Sequence, residues 1–385
     1  MRKRTLLASL CSISLMASFA QTKGVIKATL TGLDNDTIYI YHYPLSDIND
    51  IKKDTLVAHN NTFIYKIPDE PTAFAIIPHN AVHRRSTGGI YIAQTKLVEL
   101  FTQPNEHITI EGALEKYYLN YSLTGNDVSA ELSQFRQCYK SAAIEAVKLE
   151  LKMDSLRGVG ERQESINQLF KIRNQYFDTI SQVKIQYINM NLDTDLSAYF
   201  ITRFPLETFA YYHSKLSKNV REGMFGAVLE HFYQNYQNYL ATNLAQNELL
   251  SGKEAPSFSL KDNEGRLVSL NDFKGKLIVL DFWGTWCGPC MQELPKLKSF
   301  YQENSTKVEL VSIACLDKPK DWQAVIRSQE LNWVQLVNDG EYDVSILYGV
   351  QSFPTKIIID KDLRIVQRFI GLSEDFFKVM KDLLK

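Results

Sequence analysis

Two cysteines placed where a buried strand turns into a helix restrict this chain more than any other feature. Residues 277–283 form an apolar run broken only by Asp281, the length of a fully buried strand. Trp286-Cys287-Gly288-Pro289-Cys290 follows, and residues 290–301 have helical spacing. Cys287 therefore falls where the helix begins. Unpaired backbone N–H groups and the helix dipole favour a thiolate there. Cys290 lies one turn inside. This placement supports attack by Cys287 on a disulfide, a mixed disulfide, and resolution by Cys290.

Other chemistries fit the pair less well. A zinc site takes four ligands, usually two such pairs or one pair and two histidines. No second pair exists, and residues 251–385 contain no histidine. Haem attachment needs a histidine after the second cysteine, where Met291 stands. A purely structural disulfide around so small a loop restricts the unfolded chain little. The strand–turn–helix setting points to a redox pair, with no cofactor beyond the Cys287–Cys290 disulfide.

Strand and helix signals alternate over the rest of residues 251–385. Residues 308–314 read as a second apolar strand and 320–330 as a helix. Strands at 356–360 and 364–370 flank the turn Lys361-Asp362, and Ser373 caps a closing helix. Alternation with a final hairpin predicts a mixed sheet covered on both faces. Ser251-Gly252-Lys253-Glu254-Ala255-Pro256 reads as a linker before it.

A chain of 385 residues has room for two or three domains. Residues 21–125 carry short alternating runs such as Phe63, Tyr65 and Ile67, punctuated by turn residues such as His59-Asn60-Asn61. They predict an antiparallel β-sandwich-like domain. Residues 126–250 change to a helical period. Ile166, Leu169, Ile172, Tyr176, Ile180, Val183 and Tyr187 follow one face, as do Leu132, Phe135, Ala142, Ala146 and Leu149, and Gly158 and Gly160 separate the two helices. Both stripes are expected to be helix-packing core.

Residues 1–20 read as a cleaved secretory signal. Arg2, Lys3 and Arg4 precede an apolar stretch, and Ser18-Phe19-Ala20 offers a small-residue cleavage site. The stretch is shorter than the ~20 residues of a bilayer span. Leu10 before Cys11 does not suit lipid attachment, so lipoprotein anchoring is not expected. The mature chain is expected outside the cytoplasm. With 43 basic and 44 acidic residues the net charge is −1, which argues against nucleic acid as a partner. Cys138 and Cys315 are expected to be buried and inert.

Residues from about 254 to the end, roughly a third of the chain, resemble the thioredoxin-fold domain of TlpA/ResA-type thiol–disulfide oxidoreductases. Asp281-Phe282-Trp283-Gly284-Thr285-Trp286-Cys287-Gly288-Pro289-Cys290 carries the resemblance, with Pro295 in the helix and Phe353-Pro354-Thr355 as the cis-proline loop. The lead-in Ala255-Pro256-Ser257-Phe258-Ser259-Leu260 and the Asn263-Glu264-Gly265 turn resemble the extra strands of the TlpA branch. The resemblance implies roles. Asp281, a carboxylate otherwise costly in a strand, is similar to the buried aspartate that takes the resolving thiol's proton. Glu293 is similar to a glutamate that tunes the thiols. Pro354 would leave the Phe353 backbone free to pair with an extended substrate, and Phe353 gives that rim an apolar character. Trp286 is expected to shield the disulfide and contact substrate, and Trp283 to pack.

The first 250 residues resemble an uncharacterised β-rich domain and helical spacer of envelope proteins, through residues 103–110 and Thr124-Gly125-Asn126-Asp127. The implied function is periplasmic reduction of disulfides in exported proteins or apocytochromes, with electrons from a membrane-embedded thiol donor. Two alternatives remain. A peroxiredoxin-like peroxidase shares the Ala255-Pro256 lead-in but uses a lone peroxidatic cysteine. An envelope binding module would make the redox domain subordinate.

Overall fold

The computed structural model describes residues 23–340 and 342–385. Residues 1–20, expected to be a secretory signal, and Cys11 within them lie outside the described residues. The chain has a β-rich N-terminal region, a helical middle and a C-terminal thioredoxin-like domain. Its contacts form two compact units that divide between Phe232 and Tyr233. Among the described residues no helix is long and apolar enough to cross a membrane.

The first unit opens with ten strands: β1 Val25–Thr31, β2 Thr37–Pro44, β3 Lys52–Val57, β4 Thr62–Lys66, β5 Thr72–Pro78, β6 Val82–Arg84, β7 Ile90–Ile92, β8 Val98–Thr102, β9 His107–Leu114 and β10 Leu119–Thr124. Two four-stranded sheets form, ordered β10-β9-β1-β4 and β3-β2-β5-β8, beside a β6–β7 ribbon. Every second residue of β1 and β2 is buried. Ile26, Ala28 and Ile108 of one sheet share a core with Ile38, Ile76 and Leu100 of the other. The expected antiparallel pattern fails at one pair, because β1 runs parallel to β9 from Val25↔His107 to Thr31↔Ala113. No hairpin joins these two strands. The whole second sheet intervenes in sequence, and a long crossover is what a parallel pair requires.

Seven helices follow: α1 Asp127–Phe135, α2 Lys140–Gly158, α3 Gln163–Met190, α4 Asp195–Ile201, α5 Leu206–His213, α6 Lys218–Arg221 and α7 Gly226–Glu248. Gly125, at φ +100, makes the turn into α1; a Cβ there would collide with the His107 carbonyl. Asn126 then caps α1 by accepting from Ser129 N at 3.0 Å. Two expectations are corrected. The 132–149 stripe is broken by a 3₁₀ turn at Arg136–Tyr139, and that turn leaves Cys138 exposed. On α3 only Ile166 and Ile188 are buried, and Ile172 is 42% exposed. At 28 residues α3 is ~42 Å long, and of the stripe Ile180 borders a cavity instead of core.

The second unit contains a seven-stranded mixed sheet, β12-β11-β15-β14-β13-β16-β17. Its strands are β11 Ser259–Asp262, β12 Leu267–Ser269, β13 Leu277–Trp283, β14 Val308–Ala314, β15 Val334–Val337, β16 Thr355–Ile359 and β17 Ile365–Ile370. Its helices are α8 Gly288–Asn304, α9 Pro319–Gln329, α10 Val344–Leu347 and α11 Glu374–Leu383. Strand β13 feeds a core on each face: Ile278, Leu280 and Phe282 enter one, Val279 and Trp283 the other. Residues 251–256 are not a free linker. Gly252 N and Ala255 N donate to Ile365 and Leu363, at 2.7 and 2.8 Å. The unit begins earlier still, within α7. Leu249 packs on its core, and Gln351 bonds to Asn243.

Candidate active site

Strand β13 ends at Trp283, and a three-residue turn delivers Cys287 as the N-cap of α8. Its backbone is extended, and its Sγ accepts from Cys290 N at 3.2 Å. Pro289 occupies the first helical turn, where a missing N–H costs nothing. Cys287 and Cys290 are joined by a disulfide, their Cα atoms 5.3 Å apart. Asp317 holds the preceding turn: one carboxylate oxygen accepts from Thr285 N at 2.8 Å and the other from the Thr285 hydroxyl.

Around the disulfide lies an aromatic rim. Trp286 is 53% exposed. Its indole N–H donates to the Cys315 carbonyl at 3.0 Å, which fixes the ring. Gly284 leaves room for that ring, since a Cβ there would sit 2.5 Å from Trp286 Nε1. The Trp286 ring meets Phe353 edge to face at 5.5 Å. Phe353 in turn packs on the core cluster that contains both cysteines. The Phe353–Pro354 peptide is cis, and Pro354 is buried. Trp283 is buried in the core as expected.

Beneath the rim runs a polar row across the sheet. Lys356 on β16 and Ser312 on β14 are the direct cross-strand partners of Asp281 on β13. Gln335 on β15 lies opposite Ser312. Facing residues on neighbouring strands point to the same side. Here that side carries Cys290 and Leu294 of α8. Ser312 Oγ donates to Asp281 Oδ2 at 3.0 Å and accepts from the Trp333 indole at 2.8 Å. The Lys356 ammonium donates to Glu293 Oε2 and lies 3.7 Å from Asp281 Oδ1. Lys356 is 1%, Asp281 3% and Glu293 8% exposed, so the three form a buried charge cluster.

Burial pushes the Asp281 carboxyl up from the ordinary aspartate range. The Lys356 ammonium and the Ser312 hydroxyl oppose that rise, and the Glu293 carboxylate adds to it. Burial likewise pushes the Cys315 thiol up and keeps it protonated.

Residues 251–368 match the AhpC/TSA family. Over 137 residues the chain is 34% identical to the thiol-disulfide oxidoreductase ResA of Bacillus cereus, spanning 35% of this chain and 77% of that protein. The chain belongs to the ResA family of thiol-disulfide oxidoreductases. ResA of Bacillus subtilis is 30% identical over 152 residues, 39% of this chain and 84% of its own length. Among solved structures, the thioredoxin domain of a thiol-disulfide oxidoreductase from Bacteroides vulgatus is 28% identical with a TM-score of 0.34, covering 36% of this chain and 100% of that one.

In this ResA-family chain the structure brings Cys287, Cys290, Trp286, Phe353 and Pro354 together at one end of the sheet. It places Asp281 and Glu293 on a common lysine. Sequence reasoning missed Lys356, Ser312 and Trp333. The signal for Lys356 was present: it interrupts the apolar strand Thr355–Ile359 as Asp281 interrupts β13.

Proposed function

We propose that the chain is an extracytoplasmic disulfide reductase for exported proteins or apocytochromes. In its dithiol form the Cys287 thiolate attacks a client disulfide, and the client's other sulfur leaves as a thiolate. Asp281 takes the proton of Cys290, whose thiolate then attacks Cys287 Sγ. Asp281 gives its proton to the departing client thiolate and solvent protonates the other, so the client leaves with two thiols, and its two electrons have come from the pair, now a disulfide. A membrane-embedded dithiol donor restores the reduced pair. The Gly288-Pro289 dipeptide supports the reducing direction, because it resembles that of reducing thioredoxins.

One observation carries this reading: a helix-capping cysteine disulfide-bonded to Cys290, on the sheet face that also carries a buried carboxylate–lysine cluster. Asp281, whose pKa burial raises above the ordinary aspartate range, can take up and return a proton more readily than an exposed aspartate. Lys356 sets how readily it does so, and Glu293 shares that lysine. Trp286 and Phe353 form the apolar contact surface for a client, and the backbone at Phe353 pairs with it as an added strand. In the first unit, the two sheets around one core support the sandwich reading. A lone peroxidatic cysteine is not what the site offers, because Cys287 is paired.

Cys290→Ala arrests exchange at the mixed disulfide. With this variant, defined clients are expected to be captured through Cys287 and released by a reductant. Capture that persists when Cys287 is also replaced by serine would favour the binding-module reading instead.

A further inference from the structure

The first unit holds a cavity that the redox chemistry does not use. Its volume is about 430 Å³, within the roughly 300–1,000 Å³ of small-molecule pockets. Strands β7 and β8 supply one wall, and α2, α3 and α4 the other. Phe177, Ile180 and Lys184 of α3 line it.

Five cations border this space against two carboxylates. Both carboxylates already have partners. Glu150 is held by Arg85 at 3.1 Å and by Arg173. Glu99 accepts from the Tyr199 hydroxyl at 3.0 Å and lies 3.8 Å from Arg203. Arg136 and Lys184 remain, and neither forms an ion pair among the described residues. Arg136 is 4% exposed and donates Nη2 to the Thr95 carbonyl at 3.1 Å. Its guanidinium lies 4.6 Å from the Tyr121 ring centre and 5.3 Å from that of Tyr118. The Lys184 ammonium lies 5.6 Å from the Tyr139 ring centre and 5.5 Å from that of Phe200, with Glu99 acting on it through space. It has no hydrogen-bond acceptor among the described residues, and the Tyr91 and Tyr139 hydroxyls have no hydrogen-bond partner there either.

Glu99 acts on Lys184 and Arg136 through space, but two carboxylates shared among five cations leave the lining with excess positive charge. Excess charge drawn away from water is costly, and it persists where something else supplies the balance. Ring faces steady such a cation yet leave its N–H groups free to donate. Apolar surface from Val147 and Ile180 stands beside these donors. We propose that the cavity binds a small organic anion, with a carboxylate or phosphate head on Lys184 and Arg136 and an aryl or alkyl body along Tyr139, Val147 and Ile180. This site is independent of the disulfide and of the function proposed for it.

Calorimetry on the full chain tests it with 1-naphthoate, 1-naphthyl phosphate and neutral 1-naphthalenemethanol. At least one anion is expected to bind roughly tenfold or more tightly than the alcohol, and the tighter anion identifies the head group. Lys184→Met should weaken that anion by about tenfold, and Lys184→Arg should restore most of the loss. Equal affinity for the alcohol, an unaltered Lys184→Met, or no binding of either anion at millimolar concentration would overturn the proposal. A second readout needs no ligand. Lys184→Met lowers the excess positive charge of the cavity and should raise the melting temperature of the free protein by a few degrees. A fall, or failure to fold, would show that the ammonium already has a structural partner and would end the proposal.

Discussion

Lys356 is buried and Lys184 is half-buried, and the two are treated in opposite ways. Lys356, in the second unit, has Glu293 and Asp281 in reach and no exposed surface to speak of. Lys184, in the first, has tyrosine and phenylalanine faces, an open cavity beside it, and only the through-space pull of Glu99, which Arg203 and Tyr199 already share. The difference lies in who completes the charge balance. Where the protein does so itself, the cluster is closed and can tune a proton next to a disulfide. Where it does not, the space is left for a ligand.

The most damaging way to break this contrast is Lys356→Met. It leaves two buried carboxylates without a cation, and such losses cost about 3–5 kcal/mol. Urea unfolding at pH 7 should show that loss. The deficit should shrink as pH falls, because protonation removes the uncompensated charges. A loss below about 1 kcal/mol would mean the cluster is not buried as described.

Asp281→Asn should slow dithiol exchange by roughly 10²-fold at neutral pH, as expected when a positioned acid–base group is removed. The same substitution carries a stability signature. Asp281 has a folded pKa above its unfolded value, so the folded state binds the extra proton between the two. Wild-type stability therefore falls as pH rises from about 3.9 through the raised value. The variant should lose that part of the pH profile and gain stability above it. Stopped-flow exchange and urea unfolding across pH check both halves, and an unchanged profile would remove Asp281 from the proton path.

A smaller effect is expected at the rim. Trp286→Ala should weaken exchange with a peptide disulfide severalfold and leave a small-molecule disulfide nearly untouched, because only the peptide reaches the indole. Equal losses with both substrates would assign Trp286 to positioning Cys287. The smallest change is Lys184→Met, a gain of about 1 kcal/mol in urea unfolding of the ligand-free chain. Its sign, opposite to that of Lys356→Met, sharpens the contrast.

The second unit was readable because its signals are local. Cys287 and Cys290 follow an apolar strand and open a helix within a short stretch, and Asp281 stands out against apolar neighbours. Lys356 was harder to read. Its meaning depends on the pairing of β16 with β13, which places it opposite a residue 75 positions earlier. The first unit was less legible for the same reason. The parallel β1–β9 pair is a long-range contact with no turn to announce it. The α3 stripe has the period of a core-facing helix, yet periodicity does not say whether that face meets packing or a cavity. Cys138 is apolar in character but sits on a 3₁₀ turn that rotates it outward. The cavity's cations, from Arg85 to Arg203, come together only through the tertiary fold.

The central claim is that Cys287 and Cys290 form the exchanging pair and work as a reductant. Equilibration of the full chain in dithiothreitol and glutathione buffers, followed by alkylation and peptide mass analysis, tests it directly. One two-electron transition confined to Cys287 and Cys290 is expected, with a midpoint near the ~−270 mV of reducing thioredoxins. Cys138 should alkylate in every buffer, and Cys315 only after unfolding. A midpoint near ~−120 mV, or a transition that does not involve both Cys287 and Cys290, would contradict the account.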